Sequence, residues 1–162
     1  MTCVLPLRWL QGKCDTKKTM DASLARARVR ARRCAVQALY QWQFVNQEPG
    51  EILKEFVADR ELIKVDMEYF ELLLRAVPEH IEELQEDLAG VLDRPLEQVD
   101  PVERTVLLIG AYELRFQPDV PWRVAVNESV ELVKMFGAEQ GFRYVNAALD
   151  RLAKSLRPEA LA

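Results

Sequence analysis

Arg30-Ala-Arg-Arg-Cys-Ala-Val-Gln-Ala-Leu-Tyr-Gln-Trp42 has the period of a helix and two unlike sides. Ala31, Ala35, Ala38, Leu39 and Trp42 recur at i, i+4, i+7, i+8 and i+11, which at about 100° per residue stacks them in one stripe. The same rotation gathers Arg26, Arg30, Arg33, Gln37 and Tyr40 on the other side. The spacing predicts a helix over Ala22 to Asn46. Its small-residue stripe suits close packing on another helix, and its basic face carries one aromatic ring.

Working outward, helix follows helix. A short one is expected near Glu51 to Ala58. A third opens at Asp66, whose carboxylate can cap the free amides of a first turn, and buries Phe70, Leu73, Leu74, Val77, Ile81, Leu84 and Leu88. Pro78 interrupts that pattern, because it lacks an amide hydrogen and crowds the preceding turn; a kink or break is expected there. Gly90 to Val99 reads as a connection. Asp100 as cap, Pro101 at the first helical position and Glu103 three residues after the cap then mark the clearest helix start. Gly110 inside that helix costs about 1 kcal/mol against alanine, which suggests a close approach by a neighbour. Further helices are expected over Val124 to Phe136, closed by Gly137 in a left-handed cap, and over about Glu139 to Leu156. The expected architecture is all-α, about seven helices in two packed subdomains over residues 21–90 and 95–157 of one domain at 21–158, after a disordered extension over residues 1–20.

The charge is unevenly spread. The chain of 162 residues has a net charge of −4, yet residues 1–47 carry +7, residues 48–103 carry −12 and the remainder +1. A basic segment on an acidic protein creates a local field of opposite sign, whose usual partners are nucleic acid or anionic lipid. Membrane attachment needs bulky apolar residues beneath the cations, whereas here the opposing stripe is largely alanine. Cys3, Cys14 and Cys34 are odd in number and show no paired spacing, so neither a disulfide framework nor a zinc site is readable, and a reducing cytoplasm is expected. No signal peptide or membrane span is evident.

Catalysis finds little support. The lone histidine, His80, reads as a solvated side chain near the Pro78 kink, and no phosphate loop, HExxH or GxSxG motif occurs. No catalytic residue, metal or cofactor is expected. Arginines that pair with phosphates and a tyrosine that offers its ring to an unpaired base favour single-stranded RNA over duplex DNA. Plainer alternatives stay open for several residues: Tyr40 packing on Phe44, Tyr144 in the core, Glu103 as a cap alone, Asn127 and Asn146 hydrogen-bonded inside the core.

Five segments in order carry a more specific signal: Arg30 to Trp42; Val65-Asp-Met-Glu-Tyr-Phe70; Asp100-Pro-Val-Glu-Arg-Thr-Val-Leu107 with Ala111-Tyr-Glu-Leu114; Val120-Pro121 with Ala125-Val-Asn-Glu-Ser-Val-Glu-Leu132; and Lys134-Met-Phe-Gly137 with Tyr144-Val-Asn-Ala-Ala-Leu-Asp150. Over about residues 24–156 the chain resembles the NusB family of transcription antitermination factors. The resemblance implies a cytoplasmic protein without catalytic activity that binds the boxA element of nascent ribosomal RNA together with the ribosomal protein NusE, and helps RNA polymerase pass terminators within an antitermination complex. It implies RNA contacts at Arg26, Arg28, Arg30, Arg32, Arg33, Tyr40, Gln140 and Arg143, and partner contacts at Glu103, Arg104 and Tyr144. Many relatives have an acidic residue where Gln140 stands; losing that charge implies tighter RNA binding. A targeting domain like those of RNA methyltransferases, or a structural oligomer, are the alternatives, and homodimerisation stays open on the sequence alone.

Overall fold

The computed structural model describes the backbone of residues 8–162 and the side chains from residue 22 onward. Seven α-helices follow one another: α1 Arg8–Phe44, α2 Pro49–Asp59, α3 Met67–Glu79, α4 Ile81–Ala89, α5 Pro101–Phe116, α6 Trp122–Phe136 and α7 Gly141–Leu156, with 3-10 turns at Leu96–Gln98 and Pro158–Leu161. No strand occurs among the described residues. The all-α expectation holds. α1 starts at Arg8 rather than near Ala22, so it takes in backbone that the sequence reading assigns to an extension without structure. Between Pro6 and Ala22 no proline intervenes to stop a helix, although Gly12 and the Thr and Asp residues are weak helix formers; residues 1–7 lie outside the described residues.

Local signals set the helix ends. Asp66 accepts a hydrogen bond from the Tyr69 amide at 3.1 Å, and Asp100 accepts from Val102 and Glu103 at 3.0 and 3.3 Å. Each such cap contributes about 1 kcal/mol. Pro78 produces the expected break: α3 stops at Glu79 and α4 starts at Ile81, with His80 between them in a non-helical conformation. Gly137 departs from expectation, with φ −99° and ψ −175° rather than a left-handed cap. What needs glycine there is proximity, since a Cβ would stand 2.9 Å from the Val133 carbonyl oxygen.

α5 is the central element, with every residue from Thr105 to Leu114 buried, and it packs on α1, α4, α6 and α7. A Cβ at Gly110 would lie 2.7 Å from Leu149 Cδ1 of α7 and 2.8 Å from Ser129 Oγ of α6, so three helices converge there. Gly110→Ala is therefore expected to destabilise the protein by about 1–3 kcal/mol through overpacking, despite alanine's better helix propensity; thermal denaturation checks this. Two side-chain contacts fix the direction of α1 against α5. Arg32 meets Glu113, and Gln43, further along α1, meets the hydroxyl of Thr105, earlier on α5. The two helices are antiparallel.

Arg157 is buried after the end of α7 and clamps the far end of α5. Its guanidinium donates to the carbonyls of Leu114 (2.7 Å), Glu113 (3.1 Å), Gln117 (2.9 Å) and Val120 (3.2 Å). The last carbonyls of a helix have no partner within it; here one cation satisfies that of Leu114 and adds a second donor to that of Glu113, which also accepts from the Gln117 amide. Helical periodicity assigns Arg157 no role.

Candidate nucleic-acid interface

The five arginines of α1 divide by their angle round the helix. Arg26 and Arg33 are exposed and Arg30 is half-buried. Among the described residues no carboxylate forms an ion pair with any of the three. Arg28 is partly withdrawn: its Nε lies 3.6 Å from Asp66 Oδ2, and its guanidinium stands over the Tyr69 ring at 4.8 Å.

Arg32, expected at the RNA, does not reach the outward side. Its side chain is 4 % exposed and that of Glu113 only 1 %, and Nε and NH2 each donate to a carboxylate oxygen of Glu113 at 2.8 Å. Burial opposes the guanidinium charge, but the two hydrogen bonds and the adjacent carboxylate outweigh it, so the pKa of Arg32 rises above its ordinary value. Burial, then the Glu113 carboxylate, likewise push the phenol of Tyr69 above its usual range. The physical reason for the correction is a partner on α5, distant in sequence, that turns a surface cation into a core ion pair.

Tyr40 lies about two turns beyond Arg33 and one beyond Gln37 on the outward side, 41 % exposed, with its ring 5.0 Å from that of Phe44. The Tyr40–Phe44 pair is thus real and remains solvent-facing, because Phe44 is exposed too. Beneath them Gln43 reaches Thr105, which places this end of α1 beside the first turn of α5.

That first turn leads to the second group of expected residues. Gln140 and Arg143 are exposed at the start of α7, and Tyr144 is half-buried. Its hydroxyl donates to Asp93 Oδ1 at 3.1 Å, and Arg94 stands 4.9 Å from its ring centroid. The Arg94 guanidinium, then the Tyr144 hydroxyl, hold the Asp93 carboxyl below its usual range, while burial and Asp93 raise the Tyr144 phenol. Glu103 lies across Gly141, where any Cβ would collide with its carboxylate. Burial, then Asp100, raise the Glu103 carboxyl, with Arg94 pulling the other way. Arg104 is turned inward, its NH2 donating to the carbonyls of Val99 (3.1 Å) and Glu97 (3.3 Å); it braces the 3-10 turn.

Other expectations shift. Asn127 and Asn146 are exposed and line an open groove with Trp122 and Asp150, rather than bonding inside the core, because both fall on the outer sides of α6 and α7. His80 is half-buried against Phe116, ring centroids 4.3 Å apart, with Nδ1 3.3 Å from Glu83 Oε1. Among the described residues no group of three His, Cys, Asp or Glu side chains is arranged to hold a metal, and no helix is long and apolar enough to cross a membrane.

The described residues thus form an all-helical protein with an outward row of cations that ends in an exposed tyrosine. The chain belongs to the NusB family, whose model matches residues 29–154. It is 47 % identical over 137 residues to the transcription antitermination protein NusB of Alcanivorax borkumensis, an alignment covering 85 % of this chain and 91 % of that protein. It is also 47 % identical over 134 residues to the protein of the same name from Nitrosococcus oceani, covering 83 % and 90 %. Among solved structures it superposes on T. maritima NusB with a TM-score of 0.67 at 27 % identity, covering 82 % of this chain and 96 % of that one. On a crystal structure of antitermination factors NusB and NusE in complex with dsRNA the TM-score is 0.69 at 30 % identity, covering 80 % and 98 %.

Proposed function

We propose that this chain is a cytoplasmic transcription antitermination factor that binds boxA-type single-stranded RNA of nascent ribosomal transcripts together with NusE, by binding alone and without a catalytic step. The observation that carries the reading is the outward side of α1: Arg26, Arg30 and Arg33 have no carboxylate partner among the described residues, and Tyr40 follows them in the open. Phosphates would meet the arginines and release counterions, while an unpaired base would stack on Tyr40. A similar chain crystallised with NusE and RNA supports the partnership. Gln140 and Arg143 would extend the RNA contact, and Glu103 and Tyr144 would meet NusE beside it. The exposed carboxylates Glu82 and Glu86 of α4 would attract a basic partner and speed its association.

The test is a titration of labelled single-stranded boxA-like RNA, a scrambled strand and a duplex of the same sequence, with and without NusE, at two salt concentrations. Preference for the boxA-like strand that strengthens with NusE is the expected result; equal binding to all three RNAs overturns the sequence-specific reading. Tyr40→Ala should weaken binding by about 1–3 kcal/mol, the worth of one stacked base, and Arg30→Ala should flatten the salt dependence. Both leave helical content unchanged, since neither side chain contributes to the core.

A further inference from the structure

The loop between α2 and α3 brings a cation of its own to the arginine helix. The Asp66 amide donates to the Ala27 carbonyl at 3.1 Å, tying the loop to α1, and the Asp66 carboxylate faces Arg28. Two residues earlier Lys64 is exposed, in a left-handed backbone conformation with φ 59°, where glycine or asparagine sits with less strain. Ser23, Arg26, Ala27, Arg30, Lys64 and Val65 together line a depression of about 320 Å3. Thus the loop neutralises Arg28 on one side and adds a positive charge on the other. Among the described residues neither Lys64 nor the two arginines has a carboxylate in an ion pair. Three like charges round one hollow repel each other, and an anion entering it relieves that repulsion.

We propose that Ser23, Arg26, Arg30 and Lys64 form a binding site for a backbone phosphodiester of RNA, with Lys64 supplying a cation that α1 does not itself possess. The proposal rests on the RNA-binding reading above. A strand is favoured over a free phosphate because the hollow opens on the side of α1 that continues to Arg33 and Tyr40. A chain of phosphates uses that whole side, whereas a single ion uses one end of it.

The experiment measures binding of labelled single-stranded boxA-like RNA to the full chain over a salt series. Lys64→Met should weaken binding several-fold and reduce the slope of log affinity against log salt by about 0.7, the loss of one phosphate contact on a single strand; Lys64→Arg should restore both. Lys64→Gly should lose affinity equally while its Tm stays at or above that of the native protein, which excludes unfolding as the cause. If Arg30→Ala flattens the slope and Lys64→Met does not, the site is wrong and the RNA reading stands. If the native protein binds no RNA, that reading falls and takes the site with it. A Tm rise with inorganic phosphate at constant ionic strength that Lys64→Met abolishes, alongside an unchanged RNA slope, would show a pocket for the free ion and overturn the phosphodiester assignment.

Discussion

Replacing Glu113 by alanine is expected to destabilise the protein by about 3–5 kcal/mol, because it leaves the Arg32 guanidinium in the core without a counter-ion. For a chain of this size that corresponds to a fall in Tm of roughly 10 °C or more, readable by calorimetry. The ion pair itself is not an efficient stabiliser, since two desolvated charges recover little beyond what their burial costs. Removing both, as Arg32→Met with Glu113→Leu, should therefore recover most of the loss. The double variant also isolates Arg32 from the interface. Once folded, it should bind RNA as the native protein does; a strong loss of affinity would return Arg32 to the RNA surface.

Arg157→Ala is expected to cost about 3 kcal/mol, measured as a lowered midpoint in urea at unchanged slope. The carbonyls of Leu114 and Val120 lose their donor, while those of Glu113 and Gln117 keep backbone donors in the Gln117 and Val120 amides; a partly buried acceptor left unpaired costs about 1–3 kcal/mol, and water reaching the vacated space recovers part of the sum. Arg157→Lys should rescue little. An ammonium is a compact donor and cannot span acceptors that the planar guanidinium reaches together. Loss of the clamp loosens α5 against the end of α7 and should leave Arg26, Arg30 and Arg33 on α1 unaffected.

What the sequence made legible was local. Asp66, Pro78 and Asp100-Pro101 act within a turn of themselves, so their residue types announce the caps and the break. Gly110 signalled a crossing because a helix tolerates glycine poorly unless something presses on it. The alanine stripe was readable for the same reason, and so was the outward row from Arg26 to Tyr40. Arg32 was only half legible: the rotation sets it beside Leu39, apart from Arg26, Arg30 and Arg33, but a wheel reports angle and not that Glu113 waits there. Its neighbour Arg33, one residue on, stays in solvent, and only the fold brings Glu113 to one and not the other. Arg157 was hidden likewise, its acceptors being backbone atoms with no residue signature. Lys64 fell outside the reading because its role comes from a loop laid beside α1, a proximity no periodicity encodes. Gly137 shows the converse error: glycine after a helix suggested a backbone rotation, and the real constraint was crowding.

The glutamate folded across Gly141 has a consequence for how this surface can change. Position 141 tolerates no side chain while Glu103 holds its place, and Glu103 can keep its place only while position 141 stays bare. A side chain at 141 thus requires the end of Glu103 to swing aside or shorten first, whereas a shorter residue at 103 meets no such bar, so change in the first turn of α7 has to wait on the first turn of α5.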